Sequence, residues 1–160
     1  MHMEDESIKN TTLCLIRQPE RMLLGMKKRG FGAGKWNGFG GKVESGETIA
    51  QAAARELEEE AGVRAEMELA GILELETEGE PVVVRMHIFR AERCEGEPTE
   101  SEEMRPRWFP VGELPFGEMW PDDPYWMPLF LAGKKFQGRF RFDRQDRLLG
   151  YELEEAADLS

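Results

Sequence analysis

Three glutamates on one predicted helix have the spacing of a metal-binding site. Residues 48–61 are rich in Ala, Glu and Leu, contain no Gly or Pro, and are followed by Gly62, which predicts a helix that ends there. Glu56, Glu59 and Glu60 stand at i, i+3 and i+4, so their carboxylates share one helix face. A hard divalent cation would relieve the repulsion among them, and Mg²⁺ and Mn²⁺ prefer carboxylate oxygens. Most glutamate-rich helices carry their acids on a face exposed to solvent. The flanking residues must therefore decide between a metal site and a solvated acidic face.

The residues that flank this helix form a regular pattern of glycines, acids and an arginine. The pattern is Gly41, five residues, Glu47, seven residues, and then Arg-Glu-Leu-Glu-Glu-Glu-Ala-Gly-Val at 55–63. Gly41 and Gly46 allow a loop to turn closely before the helix. A carboxylate at Glu47 suits the helix dipole and can cap free N–H groups. Arg55 is placed to pair with Glu47 or a neighbouring acid, so the pattern predicts a loop held against a helix that presents three carboxylates.

Strands and a second helix must position this loop and helix. Runs of β-branched, aliphatic and aromatic residues predict strands at 11–16, 21–26, 71–75, 82–89, 107–111, 139–143 and 148–154. Residues 125–132 predict a short second helix with Pro128 near its start. The apolar face of the first helix is expected at Ala50, Ala53, Ala54, Leu57 and Ala61. This mixture predicts an α/β or α+β fold in which a mixed β-sheet is sandwiched between helices.

Length, charge and composition limit the classes of partner. A chain of 160 residues predicts one domain over its whole length, with flexible tails at 1–10 and 155–160. The net charge of −11 argues against binding a nucleic-acid polymer, whereas a metal ion could bridge the protein to a small anionic substrate. Two cysteines fit a reducing compartment. No apolar run approaches the ~18 residues that cross a membrane. We therefore expect a cytoplasmic protein without a membrane partner.

The complete pattern from Gly41 to Val63 resembles the Nudix box, with Leu57 at one of its aliphatic positions. The resemblance implies the Nudix fold and a loop–helix–loop that binds Mg²⁺, with Mn²⁺ as a substitute, and cleaves nucleoside diphosphates linked to another group. The metal would neutralise phosphate charge and lower the pKa of an attacking water. The resemblance assigns structural roles to Gly41, Glu47, Arg55 and Gly62, and catalytic roles to Glu56, Glu59 and Glu60.

The rest of the chain is similar to the oxidised-purine nucleoside triphosphatase group of that family. The matching stretches are 23–46, 103–109, 114–126 and 134–142, and the similarity extends from about residue 11 to residue 154. Members of this group convert 8-oxo-dGTP, 2-hydroxy-dATP and related purine triphosphates to the monophosphate and pyrophosphate. The resemblance implies a monomeric pyrophosphohydrolase that acts on a small-molecule substrate and removes oxidised nucleotides from the pool.

The same resemblance implies the residues of a nucleotide pocket and a metal site. The pocket would be lined by Thr12, Lys27, Phe31, Asn37, Phe39, Gly40, Gly41, Lys42, Met104, Trp120, Pro121, Asp122 and Asp123. The metal would be surrounded by the Gly40 carbonyl, Glu56, Glu59, Glu60 and Glu103. The residue types agree, because Trp120 offers a flat face for a purine and Asn37 offers one acceptor and two donors to a base edge.

Asp122 and Asp123 are adjacent acids that follow an aromatic residue. Like charge and burial raise a carboxyl pKa, so one of the two could carry a proton and donate it to a base. A pair that changes protonation could accept more than one oxidised purine. Asp is also a good N-cap residue, so the pair could equally start a helix after the turn.

Several alternatives stay open on the sequence alone. The family has an aromatic residue near 73–75 that forms one wall of the base pocket. This chain has no aromatic residue there and reads Ile-Leu-Glu-Leu-Glu-Thr at 72–77. The identity of the preferred purine is therefore left open. The loop 63–69 also differs by about a residue in length. The general base could be Glu59, Glu60 or an acid outside the box such as Asp123.

Other functions would use the same residues differently. A methylated purine nucleotide, a dinucleoside polyphosphate or a capped RNA end could be the substrate, although RNA would require a basic channel that the composition disfavours. A non-catalytic nucleotide-sensing protein would be expected to lack box glutamates, and all three are present here.

Overall fold

The computed structural model describes residues 7–159. Their strands are β1 (Ser7–Arg17), β2 (Arg21–Lys27), β3 (Trp36–Asn37), β4 (Glu68–Thr77), β5 (Val82–Ala91), β6 (Met104–Pro110), β7 (Phe136–Phe142) and β8 (Leu148–Glu155). The α-helices are α1 (Ile49–Ala61) and α2 (Asp123–Leu131). The expected tail residues 1–6 and 160 lie outside the described part, whereas residues 7–10 form the start of β1. Within 7–159, neither α-helix is long and apolar enough to cross a membrane.

The seven predicted strands are all present, with ends that differ by up to four residues. The two-residue strand β3 was not predicted, because it lies in a glycine-rich stretch without alternating apolar residues. The second helix begins at Asp123 rather than at residue 125, since Pro124 suits the first turn of a helix. Pro128 lies inside this helix and not near its start, so that detail of the prediction was wrong.

The strands form one mixed sheet in the order β3-β2-β1-β5-β4-β7-β8, and β6 pairs with β2. β1 is parallel to β5 and β4 is parallel to β7, while the other pairs are antiparallel. Leu13 of β1 packs in an apolar cluster with Trp126 of α2, whereas the next residue, Cys14, packs in a second cluster with Leu57 of α1. Because successive strand residues point to opposite faces, the two helices cover opposite faces of the sheet. The predicted sandwich is confirmed.

Helix α1 is closed at both ends by local hydrogen bonds. The Thr48 hydroxyl accepts from the Gln51 N–H at 3.0 Å, and the Gln51 side chain accepts from the Thr48 N–H at 2.9 Å. This capping box belongs to Thr48, so the expectation that Glu47 caps the helix was wrong. Gly62 has a φ of 74° and donates its N–H to Glu58, as predicted for the residue that ends the helix.

Candidate active site

The side of α1 that carries Glu56 and Glu60 faces inward. The buried helix residues are Ala52, Ala53, Leu57, Glu60 and Ala61. Ala50 and Ala54 are exposed, so their assignment to the apolar face was wrong. The buried face is rotated toward the glutamates, and Glu60 therefore lies in the interior although its charge favours solvent.

Glu60 is a buried carboxylic acid beside another acid. Glu60 is only 5% exposed, and one of its carboxyl oxygens accepts a hydrogen bond from the Gly40 N–H at 3.0 Å. Burial, followed by repulsion from Glu56, raises the pKa of Glu60 to about 8. Burial likewise raises the pKa of Glu56, although hydrogen bonds from Arg55 oppose this effect. Both groups would ionise more readily if a cation entered the space between them.

Arg55 connects the loop before α1 to the glutamates on it. Its guanidinium donates to both carboxyl oxygens of Glu47, at 2.6 and 3.0 Å, which confirms the predicted pairing and lowers the pKa of Glu47. It also donates to the Lys42 carbonyl at 3.1 Å. The remaining terminal nitrogen reaches Glu56 at 2.7 Å and the exposed Glu59 at 3.3 Å. Arg55 therefore fixes the loop and holds two of the three box glutamates.

The Gly40–Gly41 segment fits only glycine. Thr12 donates its backbone N–H to the Gly41 carbonyl at 2.9 Å, which joins this segment to β1. A Cβ atom on Gly40 would overlap the backbone carbonyl of Thr12, and a Cβ atom on Gly41 would overlap the Glu56 carboxylate. The neighbouring Phe39 is fully buried and pairs with Cys14, whereas the Lys42 side chain is exposed. The segment therefore places backbone atoms without side chains directly beside the carboxyl groups of Glu56 and Glu60.

Glu103, the fourth carboxylate among the expected metal ligands, is paired with cations. It contacts Lys27 at 3.3 Å and Arg29 at 3.1 Å, and the hydrogen bond from Arg29 is the main reason that its pKa is lowered. The next residue, Met104, is buried and lies against Gly25 in the core. Among residues 7–159, no three acidic, histidine or cysteine side chains converge closely enough to hold a metal ion. Arginine, lysine and backbone N–H groups hold the carboxylates instead.

A second pair of buried acids lies at the start of α2. Asp122 accepts the Trp126 indole N–H at 2.9 Å, and Asp123 is only 2% exposed. Burial raises the pKa of both groups, and the Asp122 charge raises that of Asp123 further. Asp122 occupies the N-cap position and Asp123 begins α2, so the pair starts the helix as expected, although the Asp122 side chain makes no capping hydrogen bond.

Two buried polar side-chain atoms of the described residues lack a hydrogen-bond partner. Among buried side-chain nitrogens and oxygens of residues 7–159, only Thr12 Oγ1 and Asp123 Oδ2 make no hydrogen bond. Buried polar atoms are almost always hydrogen-bonded in folded proteins, so each such atom calls for an explanation. Both residues belong to the pocket expected from the sequence.

An aromatic surface adjoins Asp122. Phe31 stacks on Trp120 with ring centroids 5.1 Å apart and planes at 25°, although Phe31 itself is 79% exposed. The Lys35 ammonium lies 5.2 Å from the Trp120 ring centroid. Asn37 uses its side-chain oxygen to accept the Gly38 N–H at 2.9 Å, which leaves its amide group for other partners. Pro121 joins Trp120 to the acids and is partly exposed.

Lys35 and Arg90 are residues of interest that the sequence did not reveal. The sequence placed basic residues near the substrate at Lys27 and Lys42, while Lys35 reaches Trp120 from the far end of the loop that follows Lys27. Arg90 is 9% exposed and donates to two carbonyl groups at the end of α2. Neither contact follows a sequence motif, because each depends on how distant elements pack.

The fold and site define a family. The NUDIX domain model matches residues 8–130, so the chain belongs to the Nudix family of hydrolases. It is 55% identical to the mouse protein named oxidized purine nucleoside triphosphate hydrolase, over 90% of this chain and 93% of that protein. A zebrafish protein of the same name is 54% identical, over 92% and 96% of the two chains.

Solved structures agree with this assignment. A MutT protein from Bacillus halodurans matches with a TM-score of 0.82 and 29% identity, and the match covers 91% of this chain and 97% of the other. A Nudix hydrolase from Nitrosomonas europaea matches with a TM-score of 0.69 and 26% identity, over 81% and 92% of the two chains. The predicted fold and family are confirmed.

Proposed function

We propose that this chain is a pyrophosphohydrolase of oxidised purine nucleoside triphosphates and releases the nucleoside monophosphate and pyrophosphate. The observation that carries the proposal is the buried pair of acids beside Trp120, in which Asp123 Oδ2 has no hydrogen-bond partner. A carboxyl group whose pKa is raised by burial can carry a proton and donate it to a base acceptor. The names of the mouse and zebrafish relatives support the same substrate class.

We propose that the metal is Mg²⁺, with Mn²⁺ as a substitute, bound by Glu56, Glu59, Glu60, Glu103 and the Gly40 carbonyl. The donor types fit, because all of these ligands are hard oxygens and two carboxyl groups on α1 are partly or fully buried beside each other, and the carboxylates would have to move together to hold the ion. Arg55 and Lys27 would release their carboxylate contacts when the ion enters. When bound, the ion supplies charge neutralisation at the phosphates and a lowered pKa for the attacking water.

The roles of the acids divide by the face of the sheet on which they lie. Glu59 and Glu60 belong to α1, on the face opposite to α2 and its Asp123. We therefore assign the general base to Glu59 or Glu60 and assign Asp123 to base recognition. Keeping the two acids apart allows one to ionise and the other to stay protonated.

The remaining pocket residues would bind the nucleotide around these groups. Trp120 would stack on the purine with Phe31 beside it, and Asn37 would bind the base edge. Lys27 would release Glu103 and meet the phosphate or sugar, and Thr12 Oγ1 would gain its missing hydrogen bond. Gly40 and Gly41 would let the phosphates approach the backbone, and Lys42 follows them at the surface.

We further propose that the protein is one domain, acts as a monomer on a small nucleotide, and functions in the cytoplasm. Cys14 and Cys94 are free thiols, which supports a reducing compartment. The resemblance assigned Phe39 and Met104 to the pocket, but both side chains are buried in the core. They would support the glycine segment and β2 from the core side.

Pyrophosphate release from 8-oxo-dGTP and from dGTP, each with Mg²⁺ or with EDTA, tests the proposal. We expect metal-dependent release with a strong preference for 8-oxo-dGTP. Metal-dependent release without this preference would overturn the substrate assignment and retain the Nudix reaction. A panel with 2-hydroxy-dATP and O6-methyl-dGTP then ranks the purines, since Leu75 contributes an aliphatic wall where the family has an aromatic one.

A further inference from the structure

Helix α2 depends on contacts outside itself for its position. It has nine residues, and a helix of this length is marginal without tertiary support. Pro124 and Pro128 lack backbone N–H groups, so Pro128 cannot donate to the carbonyl four residues earlier. The last turn carries no basic residue of its own to complement the helix dipole. Other elements must therefore hold the helix that carries Asp123.

Arg90 of β5 supplies the missing cation at the C-terminal end of α2. The same terminal nitrogen donates to the Phe130 carbonyl at 2.6 Å and to the Lys134 carbonyl at 3.3 Å. The charged groups that face it are Glu68 of β4, at 3.5 Å, Glu92, and Arg17 of β1, which itself reaches a carbonyl of the same helix end. A buried guanidinium that binds carbonyls is costly to desolvate, so its position is set closely by these partners.

Direct contacts connect Arg90 to the acids at the other end of the helix. The guanidinium carbon lies 4.4 Å from the Phe130 ring centroid. The Phe130 ring meets the Trp126 ring edge to face, with centroids 6.3 Å apart. The Trp126 indole N–H then donates to Asp122 at 2.9 Å. Each step is a contact between neighbouring side chains, and the last ends on the carboxyl group next to Asp123.

We propose that Arg90 is a positioning residue for the Asp122–Asp123 pair. It holds the carbonyl end of α2 and the Phe130 ring, and thereby fixes the Trp126 indole that orients Asp122. This inference rests on the proposed function, which assigns the pair to base recognition. A small displacement of a recognising group is enough to lower binding of the correct substrate, because its hydrogen bonds are directional.

Four variants test this role in the full chain, well below the unfolding temperature, and Trp126→Phe among them is the reference for a lost Trp126 signal. Arg90→Met keeps the length and removes the cation, and Arg90→Lys restores a charge. Arg85→Met, on the same strand, removes an arginine that pairs with Glu74 at the surface and serves as the matched control. The readouts are kcat and KM for 8-oxo-dGTP and dGTP, and the near-ultraviolet circular dichroism of the tryptophans.

For Arg90→Met we expect KM for 8-oxo-dGTP to rise about five- to tenfold with little change in kcat, and the preference over dGTP to fall by a similar factor. The tryptophan dichroism should change toward that of Trp126→Phe. Arg90→Lys should recover part of both effects, and Arg85→Met should show neither.

Two outcomes separate this inference from the proposed function. If Arg90→Met only lowers the unfolding temperature, with wild-type KM, preference and dichroism, Arg90 merely stabilises the fold and the inference is wrong. If the wild type does not hydrolyse 8-oxo-dGTP, the proposed function fails, and the dichroism of Arg90→Met against Trp126→Phe still decides whether Arg90 orients Trp126.

Discussion

The two α-helices each carry buried acids, but they surround them differently. The α1 acids lie among an arginine, a lysine and a bare glycine backbone, and Glu60 accepts a backbone N–H. On α2, Asp122 receives one indole N–H, and among the described residues no cation contributes to the raised pKa of either aspartate. An acid among exchangeable cations suits metal binding, whereas burial away from cations favours the protonated form of an acid, which can donate a hydrogen bond to a base. The proposed division of functions therefore follows from the surroundings of the acids rather than from the residue type.

The largest expected effect is the loss of an inward α1 glutamate. Glu60→Gln removes a charged metal ligand and should lower kcat by about 10²- to 10⁴-fold, the range typical of losing a group that acts directly in a reaction. Glu58→Gln is the matched control, because Glu58 is exposed on the same helix and pairs with Arg64 at the surface. Steady-state pyrophosphate release measures both. Equal activity of the two variants would remove Glu60 from the metal site.

The next effect concerns the glycine backbone that faces α1. Gly40→Ala places a Cβ atom against the Thr12 carbonyl, so the segment must move and we expect a loss of about 1–3 kcal/mol in unfolding free energy. Gly112→Ala adds a Cβ atom with no neighbour and should leave stability unchanged. Urea unfolding compares them. If Gly40→Ala unfolds like the wild type, the close approach of this segment is not required.

The α2 acids make a prediction about pH and stability. Burial raises the folded-state pKa of Asp123 above its ordinary value of 3.8, so the folded protein binds this proton more tightly than the unfolded chain. The unfolding free energy therefore falls as pH rises from about 4 toward the raised pKa. Asp123→Asn should be more stable than the wild type at neutral pH, with the difference shrinking toward pH 4.

Glu118→Gln, an exposed change shortly before α2, is the control for that comparison and should show no such gap. Urea unfolding across this pH range measures all three proteins. A gap between Asp123→Asn and the wild type that does not depend on pH would mean that Asp123 keeps an ordinary pKa.

The smallest expected effect concerns Leu75, at the position where the family has an aromatic residue in the wall of the base pocket. Leu75 packs partly buried against the cluster that contains Trp126. Leu75→Phe restores an aromatic wall, and one added aromatic contact should lower KM for 8-oxo-dGTP by about two- to tenfold. Leu75→Met, a change of similar volume, is the control. Unchanged KM in Leu75→Phe would indicate that this strand does not contact the base.

The two sites also differ in how far the sequence could predict them. The α1 site depends on spacing within one loop and one helix, so the Arg55–Glu47 pair and the end at Gly62 could be predicted and are confirmed. The buried face of α1 was predicted in part: Ala53, Leu57 and Ala61 are buried, whereas Ala50 and Ala54 are exposed, because alanine fits both a core and a surface. Periodicity alone cannot choose between those environments.

The contacts around α2 could be predicted only in part. The resemblance indicated Asp122 and Asp123, but their burial depends on how α2 packs on the sheet. The anchor at Arg90 lies 40 residues from Phe130 in the chain and follows no motif. Such contacts arise from tertiary packing, which local spacing does not encode.

The central claim is that α1 performs the reaction and α2 recognises the base. The most direct test measures kcat/KM for 8-oxo-dGTP and for dGTP in the wild type, Glu60→Gln and Asp123→Asn, all with Mg²⁺. We predict that Glu60→Gln lowers both values and keeps their ratio, whereas Asp123→Asn mainly lowers the value for 8-oxo-dGTP and reduces the ratio. A changed ratio in Glu60→Gln, or an equal loss for both substrates in Asp123→Asn, would contradict this division of roles.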